Sequence, residues 1–152
     1  SNMGGYQSDD NFLKTKKFEE YFEYIDLNIT TAIESFYDDE IEYGNAWFNI
    51  NSNENYNWPH NHPGAVFSCV LWVKIPKNPG PICFQNHTCT SANDLISVNL
   101  KKDLKEGYNA ATQMYFTPEV GNIIIFPGYL EHHVEPTKDS KNDRISIALN
   151  YS

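Results

Sequence analysis

A chain of 152 residues, 40% apolar and 20% charged, has the composition of one globular domain with a core of its own and not of a disordered segment. Its formal charge of −9, with no basic stripe, excludes nonspecific binding to duplex nucleic acid as a function. The longest apolar run, 66–75, is interrupted by Ser68 and Lys74 and is too short to cross a bilayer, so no membrane partner is expected.

Ser1-Asn2 ahead of Met3 reads as the remnant of a cleaved tag, and no basic-then-apolar signal follows. Residues 1–10 are polar with two glycines and are expected to form a flexible N-terminus. The single domain is then expected over 11–152. From Asn11 the period becomes helical. Phe18, Tyr21, Phe22 and Ile25 fall at i, i+3, i+4 and i+7, and Ile29, Ala32, Ile33 and Phe36 repeat the spacing. The pattern predicts two helices, or one broken near 26–28, packed on the outside of a sheet. Asp38-Asp39-Glu40 reads as a solvated turn.

After Gly44 the period changes to two. Ala46, Phe48 and Ile50 alternate with Trp47, Asn49 and Asn51, a strand pattern. Residues 52–57 read as an Asn-rich loop. Strands are then predicted over 66–75, 82–84, 95–100, 112–116, 122–126, 130–135 and 144–151. Proline and glycine punctuate them at 76–81, 118–121 and 127–128. About eight short strands with helices only at the front spell an all-β fold, a sandwich or barrel. The three cysteines, Cys69, Cys83 and Cys89, are odd in number and form no CxxC pair. They read as reduced thiols of a cytoplasmic protein, in which the sequons at Asn28 and Asn86 carry no glycan.

Four of the five histidines fall in two tight pairs, His60/His62 and His132/His133. On an extended chain His60 and His62 point the same way, whereas only one of the adjacent His132 and His133 can face inward. A lone histidine is more often a core or surface residue than a ligand. Two pairs on separate strand-like stretches bring a metal site to even terms with that reading. His87, in a polar stretch, reads as a surface residue. A facial nitrogen set with open positions suits non-haem Fe(II); three histidines and a water equally suit catalytic zinc.

The stretch Leu130-x-His132-x-Val134-x-Pro136, preceded by Gly121–Pro127 and followed by Arg144–Asn150, resembles the C-terminal half of a 2-oxoglutarate/Fe(II) oxygenase family found in marine phages and bacteria. His60-x-His62 followed by Ser68–Trp72 is similar to its first half, so the resemblance covers about 44–151. It implies a double-stranded β-helix (jelly roll, cupin-like), with Fe(II), 2-oxoglutarate and O2. It implies His132 as a metal ligand, with His133 at the rim. Arg144, with Ser146 on the same side of the strand, would anchor the far carboxylate of 2-oxoglutarate; without the resemblance, Arg144 reads as a surface charge beside Asp143. Most members pair the first histidine with a carboxylate two positions on, and none stands there in this sequence. Either His62 replaces it, giving His60, His62 and His132, or His62 is the first ligand and Gly64 leaves the position open, as in Fe(II) halogenases. The three-histidine set is preferred because it uses both residues of the pair.

The function implied is a 2-oxoglutarate- and Fe(II)-dependent dioxygenase hydroxylating a small-molecule or peptidyl substrate, in the cytoplasm (the host's, if phage-encoded). Trp72, Asn49, Asn51 and Tyr115 are candidate pocket residues. A cupin-like metal-binding module, a metal-dependent isomerase or hydrolase on the same barrel, or a structural protein whose histidines only pack are the alternatives. Oligomeric state is not legible in the sequence.

Overall fold

The computed structural model describes residues 1–85, 113–139 and 141–152. The readings at His87, Cys89 and the 95–100 strand lie outside them. The described residues form one long helix and two five-stranded sheets in which every strand pairing is antiparallel, the all-β fold with a helical front that the sequence spells out.

Two short strands open the chain, β1 (Asn2–Met3) and β2 (Tyr6–Gln7). Both lie within residues 1–10, expected to form a flexible N-terminus. The backbone there is held by pairing with later strands, which no local pattern announces. Helix α1 (Glu19–Glu34) runs without a break through 26–28, a correction to the expected break. The polar residues there are accommodated within the helix. Thr30 Oγ1 donates to the Asp26 carbonyl at 2.8 Å and Asn28 Nδ2 to the Tyr24 carbonyl at 2.7 Å, so their side chains bond back along the helix.

The larger sheet runs β2, β3 (Tyr43–Asn51), β10 (Arg144–Tyr151), β5 (Phe67–Lys74), β8 (Ile123–Pro127). One face carries α1. Ile29 and Ile33 are fully buried against Ala46, Cys69, Leu149 and Tyr151, with Phe22 and Ile25 beside them. Burying each isoleucine contributes roughly 1.5–3 kcal/mol. Tyr21 and Phe36, assigned to this face from their spacing, are instead 65% and 61% exposed. Asp26 accepts the Tyr151 hydroxyl at 2.9 Å, which fastens the helix to the central strand.

The smaller sheet runs β1, β4 (Tyr56–His60), β9 (His132–Val134), β6 (Ile82–Gln85), β7 (Gln113–Phe116). β4 begins inside the stretch that reads as an Asn-rich loop, 52–57. It carries Asn and Pro, and its pairing with β9 and β1 overrides that poor propensity. Trp72, Phe126, Val70 and Ile124 of the larger sheet meet Ile82, Phe84 and Val134 of the smaller, so the sheets stack face to face. The alternation in β3 and β10 then has a use on both sides. Ala46 and Leu149 serve the helix, while Trp47, Asn49, Arg144, Ser146 and Asn150 point between the sheets.

Candidate active site

The space between the sheets is a pocket of about 510 Å³, counting the open solvent at its mouth. His60, His62 and His132 are among the residues that line it. His60 ends β4 directly opposite His132 on β9, and their rings are 4.3 Å apart between centroids. His62 comes from the connection after β4, with its ring 5.1 Å from His60 and 5.2 Å from His132. That connection is fixed by the Pro127-Gly128 turn. The His62 N–H donates to the Gly128 carbonyl at 2.8 Å, and the Gly128 N–H donates to the Val66 carbonyl at 3.0 Å. A Cβ on Gly128 would lie 2.3 Å from the Ala65 carbonyl oxygen, so only glycine allows this approach.

One ring nitrogen of each of the three histidines lies within 4.8 Å of the others, close enough to hold one ion. Among the described residues no carboxylate or thiolate joins the group. Two of the rings are oriented by their backbone. His60 Nδ1 lies 2.6 Å from the Trp58 carbonyl and His132 Nδ1 lies 2.9 Å from the Leu130 carbonyl. A carbonyl only accepts, so Nδ1 carries the proton in both, and Nε2 keeps its lone pair. Metal-binding histidines are held in this way. Phe126 and Phe84 flank the His132 ring at 4.7 and 5.8 Å, and Trp47 lies 5.5 Å from His62. Burial pushes His132 down to about 3 and His62 to about 4, with the neighbouring imidazoles adding to both, and burial also lowers His60. All three are neutral at neutral pH, the form that ligates. Gly64 lies at φ +90° with nothing within 4 Å of a Cβ placed there, and the histidines converge without it.

His133 alternates to the other face of β9, opposite Cys83 of β6. Tyr115, a pocket candidate from its sequence, is instead 51% exposed on β7, and its hydroxyl donates to Gln113 Oε1 at 2.7 Å. Trp72 and Asn49 do line the pocket. Asn51 is fully buried beside it, with Oδ1 lacking any partner.

Among the described residues Arg144 is the largest fully buried side chain, 1% exposed, on the lumen face of β10. Its Nη1 donates to the carbonyls of Pro79, Glu135 (3.0 Å) and Gly80 (3.5 Å). The turn that supplies two of these depends on Gly80, at φ +70°, where a Cβ would sit 2.3 Å from the Glu135 carbonyl oxygen. Among the described residues the buried Nη2 has no partner. Burial lowers the guanidinium to about 10, which leaves it charged at neutral pH. A buried cation with one nitrogen unsatisfied costs free energy unless an anion comes to it. Ser146, 8% exposed, lines the same pocket two positions along the strand.

Sequence reasoning missed Trp47, Asn57, Ser68 and Asn150 as lining residues. Ser68 Oγ donates to Asn150 Oδ1 at 2.8 Å, and Asn150 Nδ2 donates to Asn45 Oδ1 at 2.9 Å. The available signal was a polar residue recurring at the inward positions of otherwise apolar strands.

Residues 45–150 match the family model described as "Putative 2OG-Fe(II) oxygenase". The chain belongs to this family. The family is one of oxidoreductases whose cosubstrate and metal are 2-oxoglutarate and Fe(II). Its fold is the double-stranded β-helix, or jelly roll, shared with solved structures. An oxidoreductase of the 2OG-Fe(II) oxygenase family from Burkholderia pseudomallei superposes with a TM-score of 0.65 at 15% identity, over 90% of this chain and 57% of that one. HygX from Streptomyces hygroscopicus, solved with nickel and 2-oxoglutarate bound, gives 0.66 at 7% identity, over 97% and 69%. A prolyl hydroxylase from Trichoplax adhaerens, in complex with a hypoxia inducible factor peptide fragment, gives 0.65 at 12% identity, over 97% and 62%. The chain thus spans little more than half the length of the Burkholderia protein. No curated protein matches the sequence. Among the described residues no helix is long and apolar enough to cross a membrane.

Proposed function

We propose that this chain is a 2-oxoglutarate- and Fe(II)-dependent dioxygenase that hydroxylates a small-molecule or peptidyl substrate, with residues 11–152 acting as one domain. His60, His62 and His132 hold the metal through the nitrogens that the backbone leaves free. Arg144 binds the far carboxylate of 2-oxoglutarate, and the Ser146 hydroxyl adds a hydrogen bond. The observation that carries this reading is the buried, unpartnered Nη2 of Arg144 in the same pocket as the histidine cluster.

The residues present fit the groups they would hold. Three neutral imidazoles offer lone pairs and add no negative charge, so a divalent ion keeps its full charge in the site. Arg144 adds one more positive charge. A dianionic ligand offsets two of these three charges, and its two carboxylate ends match a metal at one side and a guanidinium at the other. When bound, the metal with 2-oxoglutarate and O2 would supply the oxidation of an unactivated C–H bond, O2 being the oxidant and 2-oxoglutarate the co-reductant; the chain supplies binding, orientation and exclusion of water. His60 and His132 keep their Nδ1 protons on backbone carbonyls and so keep their rings aimed. Trp47, Phe84 and Phe126 dry the histidine cluster. Asn49, Asn57 and Asn150 offer amides to orient a substrate.

Both cysteines among the described residues, Cys69 and Cys83, are free and buried, in keeping with a reducing cytoplasm, the host's if the chain is phage-encoded. Succinate release from 2-oxoglutarate in air tests the proposal: it should need Fe(II) and vanish in His132→Ala. Release that persists without added metal or in that variant would overturn it.

A further inference from the structure

The first residues of the chain occupy a place that a substrate could use. β1 is the edge strand of the smaller sheet and lies directly on β4, the strand that ends in His60. No residue of 1–7 belongs to either hydrophobic cluster. Met3 is 46% exposed and Tyr6 58%. Apart from the Tyr6 ring, whose centroid lies 5.7 Å from that of Phe48, what holds the segment is main chain and amide. The Trp58 N–H donates to the Ser1 carbonyl at 2.9 Å. Asn51 Nδ2 donates to Asn2 Oδ1 at 2.9 Å, Asn2 Nδ2 to Asn49 Oδ1 at 3.3 Å, and Asn57 Nδ2 to Ser1 Oγ at 3.4 Å. Ser1 itself lines the pocket with the three histidines.

We propose that the β4 edge is the docking strand for an extended polypeptide substrate, and that residues Ser1–Met3 occupy that place here. The inference rests on the oxygenase reading above and names its substrate class. Strand addition draws affinity from the main chain and specificity from side-chain contacts. Both kinds are present. The ladder with β4 accepts any extended backbone, and the amides of Asn49, Asn51 and Asn57 read polar side chains. The register sets the direction of entry. Asn2 pairs with Asn57 and Met3 with Tyr56, so each step toward the N-terminus of the docked strand is a step toward His60. A strand in this register reaching two residues beyond Ser1 lies beside His60, at the histidine cluster. The chain's charge of −9 disfavours a nucleic acid in the same groove.

The test uses the full chain carrying Met3→Pro, loaded with nickel and 2-oxoglutarate so that docking is read apart from turnover. In an antiparallel ladder hydrogen-bonded pairs alternate. With Ser1–Trp58 bonded, Met3–Tyr56 is the next such pair, and proline removes its N–H. Hydrogen exchange over Tyr56–His60 should then rise about tenfold. A synthetic peptide with the sequence Ala-Ala-Ser-Asn-Met-Gly-Gly-Tyr, at about 1 mM to match the tethered segment's effective concentration, should restore protection. The same peptide N-methylated at its methionine should not. Asn2→Ala serves in place of Met3→Pro if the proline variant does not fold. Protection unaltered by the peptide, or restored only by a second copy of the chain as a concentration-dependent dimer, would overturn the proposal. Nickel-dependent 2-oxoglutarate binding, measured on the same samples, reads the oxygenase assignment separately; its loss with docking intact would overturn that assignment and leave the docking strand standing.

Discussion

Replacing Arg144 separates an anchor from a buried charge. In the structure Nη1 is fully engaged by the carbonyls of Pro79, Gly80 and Glu135, and Nη2 has no partner. Burial brings the guanidinium only to about 10. That is roughly three units above neutrality, so about one molecule in a thousand is uncharged. Removing one side of a desolvated, hydrogen-bonded charge pair costs about 2–5 kcal/mol, or roughly 30- to 4000-fold in affinity. Arg144→Met should therefore weaken 2-oxoglutarate binding by at least about 30-fold. Arg144→Lys should fall between the two, since an ammonium keeps the charge and loses the planar fork. The fold should survive Arg144→Met. Three carbonyls lose a donor, at about 1–3 kcal/mol for each group left unsatisfied, but the several kcal/mol spent on burying an unpaired cation are recovered. Calorimetric titration of 2-oxoglutarate into nickel-loaded protein measures the affinities. Binding by Arg144→Met within threefold of the parent would refute the anchor.

The adjacent histidines should behave oppositely. His132→Ala should lower nickel affinity by about 100-fold or more, by analogy with the loss of even an outer-shell partner, while His133→Ala, on the far face of β9, should bind within about threefold. Equal losses in an equilibrium dialysis assay would contradict the geometry. The metal-free protein should lose stability in acid. The folded-state values of His132 and His62 are depressed to about 3 and 4, below the unfolded value near 6.5, so the unfolded chain binds more protons in between. This stability is present above about pH 6.5 and drains away as pH falls toward 4 and then 3. The slope reaches at most about 1.4 kcal/mol per pH unit for His132, which is 2% exposed. Melting temperatures at pH 7.5 and 5 should drop more for the parent than for His132→Asn; an equal or opposite change would exclude the mechanism.

The last strand was legible to the residue. β10 carries Ile145, Ile147 and Leu149 against Arg144, Ser146 and Ala148, and it runs over the whole span predicted, Arg144–Tyr151. β4 was not, because Asn57, Trp58 and Pro59 have no period, and the strand exists through partners far away in sequence. The same long-range pairing hides β1 and β2. The helix was legible as to face but not as to continuity, since polar residues at 26–28 mimic a break when Tyr151 and the helix's own carbonyls are out of view. At the site, pairing of His60 with His62 could be anticipated from an extended backbone, although His62 in fact lies beyond the strand and is placed by Gly128. Arg144 alone, beside Asp143, looks like a surface charge. Its burial depends on a turn at 79–81 whose closeness to Glu135 only the folded chain reveals.

The central claim is that one pocket holds Fe(II) on three histidines and 2-oxoglutarate between that metal and Arg144. Adding 2-oxoglutarate to the Fe(II)-loaded protein without oxygen tests it most directly. A weak visible charge-transfer band should appear, saturate at one equivalent, and be missing in His132→Ala and displaced to far higher 2-oxoglutarate concentration in Arg144→Met. An Fe(II)-loaded protein that stays colourless at saturating 2-oxoglutarate, or a band indifferent to both substitutions, would contradict the account.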